Sequence, residues 1–112
     1  MLFILPSTPA FCPVKLYVIC ILTIPSSKLQ GERDYAALPA GVPKWKGNLP
    51  VGHGGTYTQV NGGKFGIAAS YWVSWLLRGN TTASSYFTGS GAKNDGWTVE
   101  MANLDKISVT PI

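Results

Sequence analysis

The chain has 112 residues, of which 46% are hydrophobic and only 12% are charged, and its formal net charge is +4. A charged share of about half the usual ~25% indicates either a membrane segment or, as we favour, a piece of a larger protein whose apolar faces pack against missing partners. The nine lysines and arginines are scattered along the chain, so nucleic acid is not an expected partner.

The first 25 residues are hydrophobic and contain an apolar run at residues 16–24 in which Thr23 is the one polar residue. The run is too short to cross a bilayer, which needs about 20 residues, and its β-branched composition favours a buried strand. A secretion signal or anchor stays open, although Lys15 is a late basic residue and the A-x-A cleavage pattern is absent. We define residues 1–30 as a hydrophobic N-terminal segment, either a strand remnant or signal-like, and do not favour membrane association through residues 1–25.

Two cysteines, Cys12 and Cys20, lie in this segment. A disulfide between them and a pair of buried thiols are both compatible with the sequence. Neither cysteine belongs to a C-x-x-C pair, and the chain has one histidine. We therefore expect no metal site and no cofactor.

The middle of the chain alternates helix and strand patterns. In order, the sequence predicts a polar loop, a short helix, a short strand and a long helix, at residues 26–31, 32–38, 42–48 and 63–77. The long helix is the clearest because its apolar residues recur at three- and four-residue spacing: Phe65, Ala68, Ala69, Trp72, Trp75 and Leu76. Gly79 follows Arg78 and suits a C-terminal cap.

The C-terminal third contains shorter elements. Asn80-Thr81-Thr82 matches the N-glycosylation acceptor pattern, which favours secretion weakly. The sequence then predicts a short helix, a flexible loop, a short strand and an extended tail, at residues 82–87, 89–96, 97–101 and 105–112.

The only histidine, His53, lies in a glycine-rich segment, Val51-Gly52-His53-Gly54-Gly55-Thr56-Tyr57. Glycines leave room for a second group to approach, and histidine exchanges protons near neutral pH. A surface turn with an incidental histidine is the alternative. As a general base, His53 needs a nucleophile and an orienting acid.

Neither partner of His53 is visible in the sequence. The chain lacks the G-x-S-x-G elbow, because Ser90 is preceded by Thr88 and Gly89 and also follows the histidine. Cys12 and Cys20 have apolar neighbours, which make a thiol inert. Two carboxylates precede His53, those of Glu32 and Asp34.

Residues 32–103 resemble the C-terminal part of a group of secreted fungal and bacterial α/β-hydrolase-fold proteins. The matching segments are Arg33-Asp34-Tyr35, Gly47-Asn48-Leu49-Pro50-Val51-Gly52-His53-Gly54-Gly55-Thr56-Tyr57, Asn61-Gly62-Gly63-Lys64-Phe65-Gly66, Trp75-Leu76-Leu77-Arg78-Gly79 and Asp95-Gly96-Trp97-Thr98-Val99-Glu100. In this family the GHGG loop follows the last strand and supplies the triad histidine, and the next helix packs on the sheet. The resemblance implies that His53 is the general base of serine-dependent ester hydrolysis.

The departures from the family pattern concern the other two triad members. The family sheet has about eight strands, and its elbow serine lies far upstream of the histidine. Residues 13–19 resemble the penultimate strand, but residues 20–30 lack the acid-bearing loop that follows it. Their foreign composition suggests a translated intron or a frame shift. Asp34 is a candidate substitute acid, although a solvated helix face is the simpler interpretation.

We therefore predict an α/β fold: the C-terminal fragment of an α/β hydrolase with one or two strands, the histidine loop, a long amphipathic helix, short C-terminal elements and an incomplete sheet. Residues 31–104 form the hydrolase segment and 105–112 a tail. The predicted function is to supply the histidine of an extracellular esterase, inactive alone. Once upstream sequence completes the enzyme, we expect it to act on a small ester. The sequence does not identify the residues that bind this substrate. The isolated fragment should leave its aromatic stripe under-buried and self-associate.

Two alternatives remain open. One is a small secreted or membrane-tethered binding module, not an enzyme, whose exposed tryptophans Trp45 and Trp97 contact a ligand. The other is an enzyme assembled with a separate chain that carries the serine. A resemblance in fold does not by itself establish activity.

Overall fold

A computed structural model describes the backbone of residues 2–5, 16–22, 25–52 and 54–109, and the side chains of residues 29–52 and 54–109. These residues form a mixed α/β structure. Its strands and helices are β1 (Leu2–Leu5), β2 (Leu16–Leu22), α1 (Pro25–Ala37), β3 (Lys44–Leu49), α2 (Gly63–Leu76), α3 (Ser85–Thr88), α4 (Gly91–Asn94) and β4 (Thr98–Ala102). Short 3₁₀ turns lie at Val60–Gly62, Thr81–Ser84 and Leu104–Lys106.

The four described strands form one sheet in the order β1-β2-β3-β4. The prediction of one or two strands was too low, because β1 and β4 add antiparallel strands at the two edges. The strands β2 and β3 are parallel and are joined by α1, whereas β1 and β4 pair antiparallel at the two edges. β2 confirms the strand predicted from the apolar run, and β3 and β4 confirm the two later strand predictions to within a few residues. The sheet therefore contains one β-α-β unit, the building block of α/β proteins.

Helices cover both faces of β3, because successive side chains of a strand point to opposite sides. Lys44 and Lys46 face α1, where both amines contact the ring of Tyr35. Trp45 and Leu49 face the other way and belong to the hydrophobic core with α2. The described structure thus has three layers, helix, sheet and helix.

The core lies on the α2 side of the sheet and is largely aromatic. Phe87 of α3 is its centre: the ring centroid lies 5.2 Å from Trp45, 5.1 Å from Trp72 and 6.0 Å from Trp75. Trp97 closes the cluster against Phe65, with centroids 5.5 Å apart. Edge-to-face and stacked pairs of this kind add to the stabilisation from burial.

Two expectations about these aromatic residues are wrong. Trp45 is fully buried and Trp97 is 3% exposed, so neither is an exposed tryptophan that could contact a ligand. The stripe on α2 is also well covered, since Phe65, Trp72 and Trp75 are at most 4% exposed. The physical reason is that α3, α4 and β4 fold back over α2, so these short elements supply the cover that was expected from a missing sheet.

Helix α2 itself confirms the sequence prediction, because it runs from Gly63 to Leu76 with its predicted apolar stripe inward. Gly79 follows the helix end with a left-handed φ of 67°. The next amide, Asn80 N–H, donates to the Ser74 carbonyl at 3.0 Å. None of the helices in the described part of the chain has the length and apolar character needed to cross a membrane.

Two loop predictions are wrong. Residues 26–31, predicted as a polar loop, belong to α1, which begins at Pro25; proline at the first helical position is favourable because its missing N–H needs no partner there. The loop predicted at 89–96 contains α4, where Asp95 N–H donates to the Gly91 carbonyl. α1 also crosses the boundary predicted between residues 30 and 31.

A polar cluster centred on Lys46 attaches α1 to the sheet. The Lys46 amine is 2.5 Å from a carboxylate oxygen of Glu32 on α1 and forms a second ion pair with Glu100, its cross-strand neighbour on β4. Its side chain is 7% exposed, whereas the two carboxylates remain 44% and 59% exposed. Lys46 and Lys44 also lie 4.8 Å and 4.3 Å from the ring centroid of Tyr35. One buried cation therefore connects α1, β3 and β4.

We expect Lys46→Met to lower the free energy of unfolding by about 1–2 kcal/mol, because charged hydrogen bonds are lost while the freed carboxylates can be hydrated. Urea unfolding followed by tryptophan fluorescence measures this loss. Lys93→Met, at an exposed lysine of α4, is the matched control and should change stability by less than about 0.5 kcal/mol. Equal effects of the two substitutions would contradict the role given to Lys46.

Because of the Lys46 cluster, we expect the folded state to become less stable at alkaline pH. Burial raises the pKa of the Tyr35 hydroxyl, Glu100 raises it further and Lys46 opposes the rise. Burial acts to lower the pKa of Lys46, but the hydrogen bonds and charges of Glu100 and Glu32 outweigh it and the pKa is raised. In both cases the folded state holds the proton more tightly than the unfolded chain does.

The stability that these two groups contribute is therefore complete below about pH 10 and is lost as the pH rises through their folded-state pKa values. Urea unfolding at intervals from about pH 8 to about pH 11 should show a falling free energy at the alkaline end. The double variant Tyr35→Phe, Lys46→Met should lose that part of the slope. An unchanged slope in the double variant would contradict the assignment.

Candidate functional site

The candidate site lies at the carboxyl end of the parallel strand pair. In the register of β2 and β3, Leu22 pairs with Leu49, so the two strands end at the same level. The glycine-rich segment follows β3 directly, and this edge of a parallel sheet is where α/β proteins bind their ligands. His53 itself lies outside the described residues, so its role as general base stays a prediction.

The described residues on both sides of position 53 form consecutive tight turns. Gly55 N–H donates to the Gly52 carbonyl at 2.8 Å, and Val51 N–H donates to the Leu49 carbonyl at 2.8 Å. Thr56 then joins the segment to α2: its hydroxyl donates to the Gly62 carbonyl at 2.5 Å and accepts from the Phe65 N–H at 3.0 Å. The segment is therefore fixed at one end by β3 and at the other by the first turn of α2.

Gly55 has a structural requirement for glycine. Its φ is +57°, and a Cβ atom there would lie 2.3 Å from a ring carbon of Phe65. A side chain would thus meet both a backbone penalty and a buried ring. No atom of the described residues lies within 4 Å of a Cβ position at the neighbouring Gly52 or Gly54.

A small cleft of about 210 Å³ opens beside this segment. Its lining consists of Leu49, Pro50, Val51, Thr56, Gln59, Lys64 and Gly96. These residues include no serine, cysteine or carboxylate, and the Thr56 hydroxyl is buried and hydrogen-bonded. The Lys64 amine donates to the Asp95 carbonyl. The described lining therefore supplies neither the nucleophile nor the acid that a histidine base requires.

The candidate substitute acid, Asp34, is exposed on α1. The amine of Lys44, the first residue of β3, donates to the carbonyl of Tyr35 at 3.1 Å. The end of α1 that carries Asp34 is therefore near the amino end of β3, whereas the glycine-rich segment follows the carboxyl end at Leu49. The role of Asp34 as the substitute acid of His53 remains a prediction. Its position near the opposite end of β3 does not favour that role. Glu32 is paired with Lys46.

Asn80 is exposed at the start of the 3₁₀ turn 81–84. Its side-chain oxygen accepts from the amides of Thr82 at 3.1 Å and Ala83 at 3.4 Å, so it caps this turn. Its side-chain nitrogen donates to the Ser74 hydroxyl at 3.2 Å. The pairing of Cys12 and Cys20 lies outside the described side chains.

Two features that position the site were not predicted from the sequence. Thr56 lies in the glycine-rich segment, but nothing in the local pattern shows that its hydroxyl bridges to α2. The Lys46 cluster had a visible signal, because Lys44 and Lys46 alternate with a tryptophan and a glycine in a strand that is otherwise buried. Such alternation indicates a strand with one polar face.

Comparisons with known proteins leave the family open. The chain matches no protein-family model, no curated protein and no solved structure. Within the described residues there is also no group of three histidine, cysteine or carboxylate side chains that could hold a metal ion. The assignment of function therefore rests on the arrangement of the elements and on the resemblance in sequence.

The glycine-rich segment generates a matched pair of substitutions. Gly55→Ala should lower stability by about 1–3 kcal/mol, because the new methyl group meets the Phe65 ring and the positive φ is unfavourable. Gly54→Ala, one residue away in open space, should change stability by about 0.5 kcal/mol or less. Thermal unfolding of the two variants side by side measures the difference. If Gly54→Ala costs as much as Gly55→Ala, the turn described here is wrong.

Proposed function

We propose that this chain is the C-terminal segment of an α/β-hydrolase-fold serine ester hydrolase and that it supplies the histidine of the catalytic triad. One observation carries the proposal: β2, α1 and β3 form a parallel β-α-β unit, and the glycine-rich segment with His53 follows at the carboxyl end of β3. Helix α2 then packs back on the sheet. As far as α2 this is the order of elements that the family resemblance implies, whereas β4 adds an antiparallel strand after the histidine loop, where the family pattern has none.

In this proposal the His53 imidazole accepts the proton of a serine hydroxyl as that hydroxyl attacks an ester carbonyl, and later returns it to the leaving alcohol. The serine comes from sequence upstream of this segment, whereas the acid is the member whose usual place, residues 20–30, carries no carboxylate. Backbone amides near that serine stabilise the oxyanion. The chain alone therefore has a proton acceptor without a nucleophile, and no triad catalysis is expected from it.

One observation supports a larger body around this segment. The outer face of α2 leaves Ile67, Tyr71 and Val73 more than 40% exposed. A helix with apolar residues on both faces is typical of an element packed on two sides.

The test uses a fluorophosphonate probe, which labels only an activated serine. We expect the 112-residue chain alone to show neither labelling nor turnover of a p-nitrophenyl ester. The protein encoded by this sequence together with its upstream coding sequence should be labelled by the probe. In that protein His53→Ala should abolish the labelling and lower the esterase activity by about 10³-fold or more. Asp34→Asn in the same protein tests the substitute acid and should leave labelling intact.

Gly54→Ala is the matched control for a change within the segment that leaves the base in place. Labelling of the 112-residue chain alone would contradict the statement that the nucleophile is missing. A completed protein in which His53→Ala is as active as the parent would contradict the role of the histidine. In that case the glycine-rich segment would be a structural turn.

A further inference from the structure

Three exposed apolar side chains line one groove beside the residues that follow α2. Val60, Ile67 and Tyr71 are 87%, 44% and 43% exposed. They line a groove of about 820 Å³ between the outer face of α2 and the 3₁₀ turn 81–84. Exposed apolar residues in one groove indicate that something covers them.

The rest of the groove is polar but carries no charge. Its polar lining consists of hydroxyl and amide side chains: Asn61, Ser70, Ser74, Asn80, Thr82 and Ser85. No lysine, arginine, aspartate or glutamate contributes to it, although the chain has a net charge of +4. An uncharged surface that mixes hydroxyls with apolar and aromatic groups suits a neutral, hydroxyl-rich occupant, because each hydroxyl can both donate and accept hydrogen bonds.

Asn80 lies in the wall of this groove and belongs to the acceptor pattern Asn80-Thr81-Thr82. Its side-chain nitrogen, the atom that carries an N-linked sugar, points along α2 and lies 3.2 Å from the Ser74 hydroxyl. Ser70 and Ile67 follow at about one and two helical turns beyond Ser74, or about 5 and 10 Å. A chain of sugars that starts at Asn80 is thus directed over the exposed face.

We propose that Asn80 carries an N-linked glycan and that the glycan lies along the outer groove of α2, over Ser74, Ser70, Ile67 and Tyr71. In the transfer, the Asn80 side-chain nitrogen forms a bond to the anomeric carbon of an oligosaccharide carried on a polyisoprenyl diphosphate. The bond between that carbon and the diphosphate oxygen breaks, the lipid diphosphate leaves, and the nitrogen loses one proton. This proposal does not depend on the hydrolase assignment.

The cap at Asn80 survives the modification, because the amide oxygen that accepts from Thr82 and Ala83 is not the atom that reacts. The turn 81–84 can therefore keep its place against α2 in the glycosylated chain. The sugar hydroxyls hydrogen-bond to Ser70 and Ser74, and the less polar faces of the rings cover Ile67 and Tyr71. The glycan thus replaces water at an apolar surface on a chain with few charges.

The first test is occupancy of the site. The full chain is expressed in yeast behind a cleavable secretion signal, and cells and medium are analysed together by gel electrophoresis. The chain should migrate more slowly than expected for its mass, and peptide N-glycosidase should abolish this shift. Asn80→Asp and Thr82→Ala should abolish the shift, and Thr82→Ser should retain it. Asn80→Asp keeps an oxygen that can cap the turn, so its loss of the shift cannot be attributed to a lost cap. An unshifted parent chain would overturn the proposal.

The second test is coverage of the groove. Enzymatic removal of the glycan from folded protein should raise the fluorescence of a bound hydrophobic dye several-fold and promote self-association in sedimentation. The double variant Val60→Ser, Ile67→Ser should show little increase on deglycosylation. If the dye signal of the parent does not change when the glycan is removed, the glycan projects into solvent and the proposed coverage is wrong.

Discussion

The close contact between the backbone of β3 and two indole rings is the constraint on which the rest of the described structure depends. At Gly47 a Cβ atom would lie 2.3 Å from a ring carbon of Trp45 and 2.9 Å from one of Trp97. The two rings therefore occupy the space that a side chain at position 47 would fill, and Trp45 contacts Phe87 while Trp97 contacts Phe65. Through these rings, α2, α3 and the residue that precedes β4 all pack near one position of β3, and a dense aromatic core forms within few residues.

The other face of β3 is stabilised by a different kind of interaction. Among the α1 side chains that the structure describes, those at 29–37, only Gly31 and Tyr35 are buried. Lys46 pairs with Glu32 and Glu100 while its stem stays buried. The aromatic face and the polar face together fix β3 to helices on both sides of the sheet. The glycine-rich segment begins directly at its end, as expected for a reactive group carried on a loop by a rigid strand.

The sequence predicted the elements whose periodicity is strong and local. The stripe of α2 and the apolar run of β2 fall into this class, because burial on one face or on both leaves a regular pattern. α4 and the first half of α1 were missed because their glycines and serines favour loops, and tertiary contacts decided the outcome. The exposure of Trp45 and Trp97 was misjudged because it depends on how residues 81–104 fold back over α2.

The candidate site was predictable in part for the same reason. The glycine-rich segment is a contiguous motif, and its place after a strand followed from the sequence. The hydrogen bonds of Thr56 to Gly62 and Phe65, which fix that segment, join residues six and nine positions apart through one hydroxyl. Local composition does not predict such contacts. No sequence pattern in residues 1–112 identifies the nucleophile or the acid.

The central claim is that this chain is one part of a triad enzyme whose serine is encoded upstream. Sequencing the transcript and the genomic DNA upstream of the Met1 codon tests it most directly. We expect an open reading frame that encodes a G-x-S-x-G elbow and joins this sequence in register near Pro13. An in-frame stop codon and a transcription start directly before Met1, with no such frame, would contradict the claim.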